Sequence, residues 1–94
     1  VYVVVAYDIS NDRRRARLAK RLIDFLPRVQ MSVFEGEIPD RRFHALQEAI
    51  EAIIDPTHDR VRIYRLCARC SGAATNLGAG ADPHDAAGQD IVLD

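Results

Sequence analysis

The sequence has no tryptophan, one methionine, two cysteines and a single lysine, Lys20, among its 94 residues. Two cysteines cannot build the disulfide framework of a small secreted domain. Their spacing, CARC at 67–70, is a lone C-x-x-C. Structural zinc takes four ligands, and His84 is the one other soft ligand in the C-terminal stretch. Cys67 and Cys70 therefore read as structural or incidental thiols, with a redox pair or a metal site shared between subunits as the alternative. His44 and His58 stand alone and read as surface or boundary residues. No apolar run approaches the roughly 20 residues of a membrane span. No basic leader precedes a hydrophobic segment, so a cytosolic protein is expected. The phosphate loop G-x-x-x-x-G-K, the dinucleotide fingerprint G-x-G-x-x-G and the nucleophile elbow are all missing, which removes the basis for nucleotide-loop and serine-hydrolase chemistry.

What is present is arginine, unevenly placed. All 13 cationic residues lie within positions 1–69, against ten acids there, leaving that segment at +3. The remaining stretch carries four aspartates and no base. Arginine forks suit bidentate phosphate contact, although a GC-rich genome also favours arginine. The length suggests one small domain, which gains from burial against a partner.

Residues 2–8 (YVVVAYD) are short, β-branched and end in a polar residue, the pattern of a buried strand. Ser10, Asn11 and Asp12 offer helix caps. Leu18, Ala19, Leu22, Ile23 and Leu26 then recur at helical spacing, which predicts a helix from Arg13 to Leu26, closed by Pro27. Residues 28–38 (RVQMSVFEGEI) read as a short strand, a tight turn near Met31–Ser32 and a second strand. Pro39 and Asp40 open a second helix, with Phe43, Leu46, Ile50, Ile53 and Ile54 on its buried side. Residues 60–66 (RVRIYRL) alternate as a last core strand. Strand, helix, strand, strand, helix, strand is the α+β ferredoxin-like order over residues 1–70. Both helices cover one sheet face, so a second subunit is the simplest cover for the other. Residues 71–89 read as a flexible Gly/Ala/Asp loop. IVLD at 91–94 reads as an extra strand able to reach the partner's sheet.

Asp8, at the end of the first strand, has two readings. It is a capping or turn-forming acid, or it is a ligand for a divalent cation. Mg²⁺ takes oxygen ligands, often only one or two carboxylates from protein. One Asp per chain is few, but an Asp on a two-fold axis appears twice. Two such carboxylates suit one Mg²⁺ with open positions for water and a phosphate oxygen, the needs of phosphodiester hydrolysis. The run Arg13, Arg14, Arg15, Arg17, Lys20 and Arg21 places cations at a helix start, where the helix dipole disfavours them. A phosphate backbone nearby removes that conflict, so Arg13, Arg14, Arg15 and Arg17 are candidate nucleic-acid-binding residues.

YDIS (7–10), the basic helix RRRARLAKRL (13–22) and RVQMSVFEGEI (28–38) together resemble the small CRISPR-associated Cas2 family, in order and spacing. The resemblance runs from Val1 to about Leu66, and R-V-Q-x-S-V-F-E-G is its specific part. It implies a ferredoxin-like homodimer joined through sheet faces, with C-terminal strands packed on the partner. It implies work in CRISPR adaptation, where such a dimer bridges dimers of the Cas1 integrase and holds the spacer duplex. It further implies Mg²⁺-dependent endonuclease activity on single-stranded RNA or double-stranded DNA. The family's metal-binding acid falls on Asp8. Its other site positions fall on Tyr7, Arg15, Arg17, Arg28 and Phe34, with Arg14 an alternative within the basic helix. Tyr7 and Phe34 are expected to build the site rather than react. Two other readings keep the same fold: a non-catalytic DNA-binding scaffold, and a toxin-type ribonuclease.

Overall fold

The structure, a computed structural model, describes residues 1–66 together with Leu77. Apart from Leu77, the expected loop 71–89 lies outside the described residues, as do the strand 91–94, Cys67, Cys70 and His84. Within them the chain runs β1 (Tyr2–Asp8), α1 (Asp12–Leu22), β2 (Arg28–Gln30), β3 (Val33–Glu37), α2 (Asp40–Ile53) and β4 (Arg60–Leu66). The strands form one antiparallel sheet in the order β2-β3-β1-β4. Placing β1 between β3 and β4 gives the ferredoxin-like arrangement that the sequence order predicts.

Alternation along β1 decides which side chains meet the helices. Val3, Val5 and Tyr7 join Phe34 of β3 and Leu18, Leu22, Leu46 and Ile50 of the two helices in one core. Burying each such side chain contributes roughly 1.5–3 kcal/mol, so this layer dominates the stability of so small a chain. Tyr2, Val4, Ala6 and Asp8 point to the opposite face by the same alternation. There the Tyr2 hydroxyl donates to Glu35 Oε2 at 2.7 Å.

The first helix is shorter than its apolar spacing predicts. It ends at Leu22, with Ile23 as its C-cap. The Asp24 and Phe25 amides bond carbonyls three residues back, on Arg21 and Leu22. This tighter turn swings Phe25 into the core and leaves Ile23 59% exposed. The expected burial of Ile23 is thus corrected: Phe25 takes its place. Phe25 is roofed by the guanidinium groups of Arg21 and Arg42, 4.9 and 4.4 Å from its ring centre. The strand-turn-strand reading of 28–38 holds, with the turn at Met31–Ser32.

Candidate active site

β1, a central strand, hands the chain to α1 at its C-terminal end, and the handover fixes Asp8. The strand ends at Asp8, Ile9 turns inward as a buried anchor, and Asn11 caps the helix by accepting the Arg14 amide at 2.9 Å. The capping role is therefore filled by Asn11, and Asp8 is left out of it. The Asp8 side chain is exposed and forms no hydrogen bond or ion pair among the described residues. An acid at a strand mouth with no partner among the described residues is available to a cation or a reacting group.

Around Asp8 lies an open groove of about 810 Å³, lined also by Tyr7, Arg15, Lys20, Ile23, Arg28 and Met31. Arg15 is held there by its own loop. Its Nη1 donates to the Ile9 carbonyl at 3.0 Å, and its Nη2 meets Asp12. Arg28 reaches the groove from β2. Its Nε and Nη2 both donate to the Met31 carbonyl, and its guanidinium lies 5.5 Å from the Phe34 ring centre. The Tyr7 hydroxyl donates to that same carbonyl at 3.2 Å. Burial pushes the Tyr7 phenol up, against the opposing pull of Arg28 and Arg15, so the hydroxyl keeps its proton and works as a brace.

The groove thus brings together Asp8, Tyr7, Arg15 and Arg28. It does not include Arg17, Arg13, Arg14 or Phe34. Arg13 and Arg17 share a separate shallow depression over the helix start, one turn apart on the outer surface. Arg14 lines the same depression, its side chain 28% exposed, and sets its guanidinium on Asp59, whose side chain is fully buried. Its fork is already engaged by Asp59, so a phosphate contact by Arg14 would compete with that pair. Phe34 is likewise fully buried and stacks on Tyr7 with ring centres 6.3 Å apart. It supports the wall behind the groove, beneath the Arg28 guanidinium.

Sequence reasoning passed over Lys20, Ile23 and Met31 as parts of the groove. Ala16, Lys20 and Ile23 follow one another at helical spacing beside Arg15, so the signal was present for two of the three. Met31 gave none, because its position depends on how β2 turns into β3.

Among the described residues no group of three or more His, Cys, Asp or Glu side chains converges to hold a metal. Among the described residues, one chain offers a single unpartnered carboxylate at the groove. That donor set fits a hard cation such as Mg²⁺ provided a second copy supplies another oxygen, since such ions need one or two carboxylates and keep their waters.

A sequence model of the family described as CRISPR associated protein Cas2 matches residues 1–74. The chain is 37% identical, over 99% of both lengths, to a Chloroflexus aurantiacus protein named CRISPR-associated endoribonuclease Cas2. The crystal structure of Streptococcus pyogenes Cas2 superposes with a TM-score of 0.71 at 30% identity, over 83% of this chain and all of that one. A chain of a partial Cas6-RT-Cas1–Cas2 complex superposes with a TM-score of 0.68 at 28% identity, over 81% of this chain and 83% of that one.

Proposed function

The chain belongs to the CRISPR associated protein Cas2 family, and from that footing we propose that it acts in CRISPR adaptation as a homodimer that binds nucleic acid, partners the Cas1 integrase and cleaves phosphodiester bonds with Mg²⁺. The observation that carries the nuclease part is the exposed Asp8 carboxylate, without a side-chain partner among the described residues, beside Arg15 and Arg28 in one groove. The endoribonuclease named among its relatives and the Cas1-containing complex of its structural neighbour support the two halves of the reading.

In this reading the Asp8 side chains of a symmetric dimer would hold the Mg²⁺. When bound, the cation supplies charge neutralisation and a water of lowered pKa. Arg15 and Arg28 receive the scissile phosphate. Both guanidinium groups are already fixed by backbone carbonyls, so little side-chain freedom is lost on binding. Tyr7 keeps its proton and holds the Met31 carbonyl, which in turn holds Arg28. Arg13 and Arg17 lie outside the groove and meet more distant phosphates, which position without reading sequence.

The test is cleavage of end-labelled single-stranded RNA and duplex DNA in Mg²⁺, in chelator, and with Mg²⁺ restored. Cleavage that stops in chelator and returns with Mg²⁺ supports the nuclease, and the label that is cut names the substrate. Wild-type protein that binds both nucleic acids and cuts neither would leave the scaffold role alone.

A further inference from the structure

Two of the three large apolar side chains that stand exposed among the described residues, Ile23 at 59% and Met31 at 84%, line the same groove as Asp8. Scattered single apolar residues on a surface need no explanation, but two that share a groove with Asp8, Arg15, Lys20 and Arg28 do. A groove for phosphate alone has no use for them.

Their placement is also enforced. The expected helix would carry Ile23 into the core, and the tight turn at Asp24 and Phe25 turns it out instead. Met31 sits on a backbone whose carbonyl accepts three donors, Tyr7 Oη, Arg28 Nε and Arg28 Nη2. Both side chains thus line one groove, Ile23 from the end of α1 and Met31 from the β2–β3 turn, with Arg15, Lys20, Arg28 and the Asp8 carboxylate.

A nucleotide has the matching two-part chemistry: an anionic phosphate, and a flat base with an apolar face. In an intact duplex that face is stacked on its neighbours and unavailable. Apolar side chains, methionine and isoleucine among them, meet bases by taking up space vacated in the stack. Methionine adds a flexible, polarisable thioether that adapts to any base. We infer that Met31 and Ile23 are positioning residues that pack against the base of one unpaired nucleotide while its phosphate lies at Arg15, Arg28 and Asp8, so that the groove selects single-stranded or frayed nucleic acid over intact duplex. This rests on the nuclease reading for the role of Asp8, but its test does not.

The test measures binding, in a metal-free buffer, by the full-length Asp8→Asn protein. Fluorescent single-stranded oligonucleotides of one sequence are compared with the matched duplex and with a fully abasic strand of equal length. Met31→Ala with Ile23→Ala should weaken single-strand binding by roughly three- to tenfold, the scale of one lost base contact. Duplex and abasic binding should change little, because neither offers a free base face. Met31→Leu should restore most of the single-strand affinity. Both positions are exposed, and circular dichroism of the double variant should match the parent. Equal weakening for normal and abasic strands, or no change for either, would overturn the inference. Discrimination against the abasic strand in a protein whose wild type cuts nothing would uphold the inference and sink the nuclease reading. Cleavage untouched by the double variant would do the reverse.

Discussion

Arg14 sets its guanidinium fork on both carboxylate oxygens of Asp59, Nε to Oδ2 at 2.8 Å and Nη2 to Oδ1 at 3.1 Å. The pair ties the start of α1 to the loop before β4. Asp59 also accepts the Asp55 amide at 2.8 Å, so its buried oxygens are satisfied. The Arg14 fork, with help from that amide, holds the Asp59 carboxyl below the usual carboxylate range.

That relationship has a pH signature. A carboxyl lowered on folding stabilises the fold above its unfolded pKa of about 3.9, and the contribution is lost as pH falls through the lower folded value. Asp59→Asn should melt at a lower temperature than wild type at pH 7. The gap should close progressively below about pH 4, as wild-type Asp59 itself takes up a proton. Thermal unfolding followed by circular dichroism at pH 7, 5 and 3 checks it. A gap that stays constant across the series would mean that the charge of Asp59 contributes nothing.

The arginines of α1 should separate into two behaviours. Arg13 and Arg17 are exposed, so Arg13→Ala and Arg17→Ala should each lower the salt slope of nucleic-acid binding by roughly 0.7–0.9, with little change in melting temperature. Arg14→Ala should do the opposite: a clear loss of melting temperature and an unchanged salt slope in the folded fraction. Binding isotherms from 50 to 300 mM salt (ordinary laboratory conditions, roughly spanning the screened range) distinguish the two.

Phe34 should answer to truncation as a core residue. Phe34→Ala should cost about 3–5 kcal/mol, enough to unfold much of a chain this small. Phe34→Leu keeps most of the volume and should keep both fold and nucleic-acid binding, measured by urea unfolding and by the same isotherms. Lost activity in a stably folded Phe34→Leu dimer would instead assign the ring a direct part in the chemistry.

Gly36 faces Pro27 across the β2–β3 region, and a Cβ built on it would lie 2.9 Å from Pro27 Cδ. That ring is rigid, so Gly36→Ala should push the strand and the Leu26–Pro27 corner apart at a cost of about 1–3 kcal/mol. Urea unfolding gives the value directly. The glycine in the R-V-Q-x-S-V-F-E-G element thereby has a packing reason.

Local pattern carried the fold a long way. The alternation in YVVVAYD, the helical spacing of Phe43, Leu46 and Ile50, and the β-rich run RVRIYRL each state their element without help from the rest of the chain. What depended on distant partners was not legible. Nothing near Arg14 in sequence marks it as the arginine that pairs with a buried acid, because Asp59 is 45 residues away. Ile23 and Phe25 sit two residues apart and both are apolar, so the one that the turn buries is decided by backbone geometry after the helix has ended. Asp8, Arg15 and Arg28 were legible as site residues through the resemblance of their motifs. Their meeting in one groove depends on the turn at Met31, whose carbonyl gathers Tyr7 and Arg28.

The proposal stands or falls on the carboxylate of Asp8. Wild type and Asp8→Asn should be compared on end-labelled single-stranded RNA and duplex DNA in Mg²⁺, with the dimeric state of each preparation checked by light scattering. The expected result is cleavage by wild type and a loss of at least about a hundredfold in an intact Asp8→Asn dimer that still binds the nucleic acid, the scale of removing a metal's carboxylate from a hydrolytic site. Equal cleavage by both proteins would contradict it, and would leave Asp8 an exposed acid with no part in the chemistry.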